Sequence, residues 1–307
     1  MKTLQHDGNG WRRRDQRWWT NVVWVALAGM LWWGAEAWGG VAVVELPREG
    51  MAVYPEAPAG VAADDPLPEG YWFPIGEVAE YSVTWLGMTV GLATARVDWV
   101  EGEAGRKLLE IVVEAESNGL VEMIYPVKEY LRTLVDPYTF LPLSFEKKNK
   151  EGHHEHHELT VFDHQAKVGH WKSLLKGNEK DFEITEDMRD LLCMMYWLRR
   201  DPLRKAGDTR HYEVMTDEKV YEMILTGEKK ETVKLDRYGK VDCLKVEPVG
   251  KFNGLFLRKG RMWVWVTDDK RYTMAKMAAS VPVASIKIWL EEIRGPGNDR
   301  WVKGKKQ

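Results

Sequence analysis

Short segments in which apolar and polar residues alternate run through most of this chain, and their period of two constrains the fold more than any other feature. Tyr81, Val83 and Trp85 alternate with polar residues, and the run 109–116 repeats the pattern. Successive side chains of a strand point to opposite faces of a sheet, so this alternation is typical of antiparallel strands with one buried face. Similar runs follow at 129–135, 141–146, 212–215, 220–225, 232–235, 241–246, 255–257, 262–266 and 286–290. So many short strands predict an all-β domain, built as a barrel or a sandwich.

One segment departs from the period of two. Met188, Leu191, Leu192, Met195 and Leu198 fall at helical spacing. Thr185 is a suitable N-cap, arginines occupy the last turn, and Pro202 ends the run. The sequence therefore predicts one main helix over Glu186–Arg200. Because the other side of this helix carries Cys193, Met194 and Trp197, we expect it to be buried nearly all round.

The N-terminus has the layout of a secretory signal peptide. Four arginines between positions 12 and 17 precede an apolar stretch at 22–33, and Ala35 and Ala37 supply the small residues that a signal peptidase requires. A transmembrane helix needs about 20 apolar residues, which is more than this stretch offers. The sequence predicts a signal peptide of the general secretory type over residues 1–37, cleaved after Ala37. We expect a periplasmic or otherwise exported protein with no transmembrane anchor after cleavage.

The amino-acid composition predicts the remaining domain boundaries. Residues 38–70 are rich in Pro, Ala, Gly and Glu, which predicts a flexible leader, and the basic residues after Gly295 predict a disordered tail over 295–307. The predicted all-β domain is then 71–294. Lys and Arg number 44 against 47 Asp and Glu, and removal of residues 1–37 leaves 39 against 44, a net charge near −5. A net negative chain does not attract nucleic acid, so no nucleic-acid partner is expected.

Two cysteines, Cys193 and Cys243, lie in apolar runs. Free cysteine is among the most buried residue types, which makes two buried thiols the simpler interpretation. The oxidising compartment outside the cytoplasm leaves a disulfide between them as the alternative.

Three segments, in this order, suggest a family: GEVAEYSVTWLGMTVGLATARV at 76–97, MRDLLCMMYWLRRDPLRKAGD at 188–208, and MWVWVTDD at 262–269 followed by VPVASIKIWL at 281–290. They resemble the bacterial exported family named domain of unknown function 3108. The resemblance implies a long antiparallel sheet curled into an open barrel, similar to the folds of periplasmic lipoprotein carriers. It implies no activity. The chain departs from the family pattern at Thr273 and Met274, where a proline is expected.

A histidine cluster is the strongest candidate for metal chemistry. His153, His154, His156 and His157 surround Glu155 and Glu158, and zinc and copper sites use such side chains. On a strand, however, at most two of the histidines share a face, and Glu158 stands where the zinc-protease motif requires a second histidine. The following Leu159 and Val161 favour a strand. We expect the solvated start of a polar edge strand, with a metal-dependent hydrolase centred on His153–His157 as the alternative.

Other catalytic patterns are missing from the sequence. It contains no Gly-x-Ser-x-Gly nucleophile elbow and no phosphate-binding glycine loop.

The chain is rich in tryptophan, and these residues are more informative than its carboxylates or serines. Trp263 and Trp265 are two apart, so they share one face of a strand. Such residues commonly fill a core, and alternatively they line a cavity that holds an acyl chain or a sugar ring.

The sequence therefore predicts a non-catalytic exported protein without a cofactor or a metal. Its curled sheet is expected to hold a lipid or another apolar ligand, or to serve as an interaction surface for components of the envelope and cell wall. The candidate lining of the apolar site is Trp263, Trp265, Leu192 and Met195. Leu192 and Met195 of the helix are expected to face the strand that bears the two tryptophans.

Overall fold

The computed structural model describes residues 73–102, 105–216, 219–252, 255–256, 261–281 and 284–295. The predicted signal peptide (1–37) and leader (38–70), and the predicted tail beyond Gly295, lie outside these ranges. Neither of the helices found in these ranges has the length and apolarity needed to cross a membrane. The all-β class predicted from the alternating segments is confirmed.

Sixteen strands in the described ranges form a single sheet that is not closed. They are β1 (Val78–Trp85), β2 (Met88–Glu101), β3 (Lys107–Ser117), β4 (Val127–Val135), β5 (Pro142–Glu151), β6 (His154–Asp163), β7 (Val168–Ser173), β8 (Glu179–Glu183), β9 (Arg189–Asp190), β10 (Thr209–Thr216), β11 (Lys219–Leu235), β12 (Gly239–Phe252), β13 (Leu255–Phe256), β14 (Arg261–Thr267), β15 (Met274–Val281) and β16 (Ala284–Arg294). Two helices accompany them, α1 (Gly119–Ile124) and α2 (Leu191–Trp197).

The strand order shows two meanders that start from a common seam. From the seam β1–β16, one meander runs through β2 to β8 and the other runs back through β15, β14, β12, β11 and β10 to β9. Neighbouring strands are antiparallel except for β9 and β10, which are parallel. The two edge strands, β8 and β9, are consecutive in the chain. Only residues 184–188 separate them.

The sheet curls around α2. Leu191, Leu192 and Met194 of the helix share one buried cluster with Phe145 of β5 and Leu244 of β12, which belong to different meanders. Side chains paired across strands share a face, so the register defines two faces throughout. Leu131, Val214 and Val266 lie in the cluster with α2, and we call the face that carries them the inner face. The opposite face is the outer face.

The two ends of the curled sheet differ. At the hairpin rim lie the β1–β2 turn with Leu86, helix α1, and the turns at Gly152 and at 174–178. Several apolar side chains are exposed there, namely Leu86, Met88, Met123, Ile124, Leu174 and Leu175. The opposite end, which we call the α2 end, is filled by Phe73, Phe140 and the cysteine-bearing side of α2.

Helix α2 is shorter than predicted. It begins at Leu191 rather than Glu186, because Arg189 and Asp190 pair with Val214 and Met215 of β10 as a strand. Asp190 rather than Thr185 is the N-cap, and its Oδ1 accepts a hydrogen bond from the Cys193 amide at 2.9 Å. The expected burial on most sides is confirmed, since five of its seven residues are buried.

A buried ion pair fastens the chain after α2 to the segment before β1. Arg199 donates to both carboxylate oxygens of Glu77, at 3.2 Å and 2.5 Å, and the two side chains are only 10% and 3% exposed. The guanidinium lies over the rings of Tyr196 and Phe73. Breaking one partner of such a pair would leave a buried charge, so this contact fixes the position of the helix.

Both cysteines are free and fully buried. The Cys193 thiol donates to the Phe140 carbonyl at 3.2 Å, and the Cys243 thiol lies 3.6 Å from the Val241 carbonyl. They belong to different buried clusters. The disulfide considered from the sequence is therefore wrong, and the interpretation as two buried thiols is confirmed.

Candidate ligand-binding site

The inner face between α2 and the hairpin rim contains apolar side chains that remain partly exposed to solvent. Val113 of β3, Trp171 of β7 and Val264 of β14 pack against the buried cluster that includes α2, and each remains partly exposed. Met195 of α2 is partly exposed in the same way, whereas Leu192 is only 2% exposed. Accessible apolar surface on a concave face is typical of a small-molecule site.

Polar side chains lie on the same inner face, nearer to the hairpin rim. Cross-strand pairing places Glu129 of β4 beside Asn149 of β5, and Lys147 beside Glu158 of β6. Glu129, Lys147 and Asn149 are buried. We call Glu129, Lys147, Asn149, Glu151 and Glu158 the polar band.

One hydrogen bond connects the polar band to Trp171, and another lies within the band. The Trp171 indole N–H donates to Glu158 Oε2 at 3.3 Å, and Asn149 Nδ2 donates to Glu151 Oε1 at 3.4 Å. Burial raises the pKa of Glu151 above its usual range. A carboxyl group that is partly removed from water in this way gains from a nearby positive or hydrogen-bond-donating group.

The four side chains predicted to line an apolar site do not lie on one surface. Leu192 and Met195 lie in the cluster at the inner face. Trp263 and Trp265 point to the outer face of β14, opposite to Val264 and Val266. From β14, the residues that share the buried cluster with Leu192 and Met195 are Val264 and Val266, not the two tryptophans.

The outer-face tryptophans have polar and cationic neighbours. The indole N–H groups of Trp263 and Trp265 donate to Glu228 and Glu231. Lys245 lies 4.4 Å from the ring centre of Trp263, and Lys276 lies 4.2 Å from that of Trp265. Cross-strand pairing places Lys245, Trp265, Lys276 and Trp289 in one row. This row of cation–π contacts stabilises the outer face of the sheet.

The histidine cluster spans a turn and a strand. His153 lies in the turn before β6, His154 begins that strand, and alternation separates His156 from His157. His157 Nε2 lies 2.8 Å from Glu146 Oε1, and this contact lowers the pKa of Glu146. Among the described residues, no group of three or more His, Cys, Asp or Glu side chains is arranged to hold a metal ion.

The prediction of a polar edge strand is wrong, although the prediction of a strand is confirmed. β6 pairs with β5 on one side and β7 on the other, and β8 is the edge. The edge was misplaced because β7 and β8 are short and polar, with the sequences VGHWKS and EKDFE, and carry no apolar alternation.

Sequence reasoning also missed the polar band. A signal for it exists, because Lys147 and Asn149 are in phase with Phe145, and Glu129 is in phase with Leu131. Polar residues in phase with core residues face the core side of a strand. Such residues mark polar positions on an otherwise apolar face.

One match among the solved structures supports the fold. A barrel-like protein of the DUF1849 family from Brucella abortus is 13% identical with a TM-score of 0.51, and the match covers 73% of this chain and 98% of that one. A DUF1089 family protein from Pseudomonas aeruginosa is 12% identical with a TM-score of 0.33, covering 65% of this chain and 95% of that one. No curated protein is significantly similar in sequence. Residues 80–291 match the family described as protein of unknown function DUF3108, as the three segments had indicated, and the chain belongs to that family.

Proposed function

We propose that this chain is an exported, non-catalytic protein of the bacterial cell envelope that binds an apolar ligand on the inner face of its open sheet. The observation that carries the proposal is the partial exposure of Val113, Trp171, Val264 and Met195 beside a fully buried cluster. Burying such side chains under a ligand releases free energy in proportion to the apolar area removed from water. The open edge between β8 and β9 and the hairpin rim are the routes by which a ligand would enter.

Export is supported by the sequence alone. The arginine cluster, the apolar stretch at 22–33, and Ala35 and Ala37 have the order of a cleavable signal. Apolar ligands in the envelope must cross an aqueous space, and a binding protein with an accessible apolar face suits that task.

Binding of a neutral fluorescent probe, N-phenyl-1-naphthylamine, tests the proposal. The folded protein should bind it saturably, with a rise in probe emission. Val113→Asp and Val264→Asp should each weaken binding by about tenfold or more, because a carboxylate on an apolar surface opposes burial. Leu92→Asp is the matched control, because Leu92 is 52% exposed on the outer face of β2.

Thermal melting identifies the variants that remain folded, and Met195→Gln provides a milder substitution on the same surface. A folded wild-type protein that binds no probe contradicts the proposal. The proposal is also contradicted if Leu92→Asp weakens probe binding while Val113→Asp and Val264→Asp do not, since the site would then lie elsewhere. Either result favours the interaction surface considered from the sequence, which co-sedimentation with peptidoglycan would examine.

A further inference from the structure

The inner face changes from apolar to polar along β5. Phe145, Lys147, Asn149 and Glu151 are successive inner-face residues of this strand. Phe145 belongs to the buried cluster with α2, whereas Glu151 lies beside the turn at Gly152 on the hairpin rim. At about 3.3 Å per residue, roughly 20 Å separate the two ends. An elongated molecule on this face would therefore meet an apolar end and a polar end.

Asn149 has an unused acceptor in this polar region. Its side chain is only 9% exposed, and its Oδ1 is buried without a hydrogen-bond donor among the described residues. The Nδ2 bond to Glu151 fixes which side of the amide is the oxygen. A buried acceptor without a hydrogen bond is unfavourable, so a donor from a bound molecule would be favoured at this oxygen.

The charge of the polar band indicates which kind of hydrogen-bond donor would bind at Asn149 Oδ1. Glu129, Glu151 and Glu158 contribute three carboxyl groups, and Lys147 contributes one ammonium. Two imidazoles lie on the same face, because His154 pairs with Glu151 and His156 with Asn149. Cross-strand pairs join Lys147 with Glu158, and Asn149 lies beside Glu129. Charge interactions are stronger where side chains are shielded from water. Carboxyl groups outnumber ammonium groups on this part of the inner face, so a cation is favoured there over an anion.

We propose that the ligand is an amphiphile with an amine at its polar end. Its ammonium donates to Asn149 Oδ1 and is held by the carboxylates of the polar band. Its chain extends along the inner face toward Trp171 and Met195. This inference rests on the proposed function, because the chain needs the apolar surface on which that function depends.

Displacement of N-phenyl-1-naphthylamine by three molecules with the same chain tests the inference. Dodecylamine should displace the probe at a concentration about tenfold lower than dodecanoic acid does near pH 7, with dodecanol between them. Asn149→Leu and Glu129→Gln should each reduce this preference to about threefold or less, whereas Asn149→Asp should increase it. Glu114→Gln is the control for net charge, since Glu114 is an exposed carboxylate on the outer face of β3.

The outcomes separate the two proposals. If the probe does not bind to folded wild-type protein, the apolar site itself is wrong. If the probe binds but the amine has no advantage, only the inference about the polar end is overturned. The inference about the polar end is also overturned if folded Asn149→Leu and Glu129→Gln proteins keep the preference for the amine. It is overturned as well if Glu114→Gln reduces that preference to the same extent. Thermal melting establishes folding, and Asn149→Asp, which changes the charge with little change in shape, keeps the test valid if Asn149→Leu is unfolded.

Discussion

Asp190 combines a structural role with an unfavourable environment. Its carboxyl group has no exposed surface, accepts the Cys193 amide, and receives the Thr133 hydroxyl at 2.6 Å. Burial raises the pKa of Asp190 from 3.8 to about 6. The folded protein therefore binds this proton more tightly than the unfolded chain does. The stabilising contribution of the group is fully present below about pH 4 and is lost as the pH rises through about 6.

Asp190→Asn should remove this pH dependence while keeping the cap, because an amide oxygen also accepts the Cys193 N–H. The free energy of unfolding of the variant relative to wild type should rise by about 3 kcal/mol between pH 4 and pH 7, as the pKa difference implies. Urea unfolding at several pH values measures it. Asp187→Asn, three residues earlier and exposed, is the control. An equal pH dependence in wild type and Asp190→Asn would contradict the prediction.

The candidate site residues show which features of single side chains the sequence pattern predicts and which it does not. Alternation predicted that Trp263 and Trp265 share a face, which the register confirms. It did not decide which face meets α2, because β14 carries apolar residues on both faces and either could be inside. Partial exposure of Val113 or Trp171 depends on the packing of distant strands, which no local pattern contains.

At the scale of elements, α2 is the best test of the inner core. Leu192 is 2% exposed and packs among residues of both meanders. Leu192→Ala should lower the free energy of unfolding by about 2–5 kcal/mol, as truncation of a buried leucine usually does. Leu175→Ala, at a residue that is 44% exposed in the β7–β8 turn, should change it by about 0.5 kcal/mol or less. A loss below about 1 kcal/mol for Leu192→Ala would show that α2 is loosely packed.

The elements predicted best are those with one apolar and one polar face. β1 and β3 follow the expected alternation, and the helical spacing located α2 even though its start was five residues too early. The sequence predicts two strands where the structure has β11, because the polar run GEKKET interrupts the apolar residues of one continuous strand. A bulge between Gly227 and Lys229 shifts the register there. Backbone pairing with β12 continues through the polar run, where side chains give no signal.

At the scale of the whole molecule, the export signal can be tested apart from the fold. Replacing both Ala35 and Ala37 by leucine should block processing, because the cleavage site accepts only small side chains. Immunoblotting of cell fractions should show a larger precursor held in the membrane. Replacement of Ala57 and Ala59, which lie in the predicted leader, is the control and should leave the size of the mature protein unchanged. A normal mature N-terminus in the Ala35 and Ala37 variant would rule out the assigned site.

The seam between β1 and β16 joins residues that are far apart in the sequence. Val78 pairs with Arg294 and Trp85 with Ile286, and Ile286, Ile288 and Leu290 are each at most 1% exposed. Without β16, both β1 and β15 would become unpaired edges beside an open core. The two meanders should therefore not fold independently of the seam.

A chain that ends at residue 281 lacks β16 and should lose cooperative thermal unfolding, since the seam supplies the contacts that unite the two meanders. A chain that ends at residue 295 keeps the seam and removes only the predicted tail, so its Tm should stay within about 2 °C of the full chain. Differential scanning calorimetry and circular dichroism compare the two. If the chain ending at 281 still unfolds cooperatively at a similar temperature, the seam is not what holds the sheet together, and α2 with the Glu77 and Arg199 pair would have to unite the meanders instead.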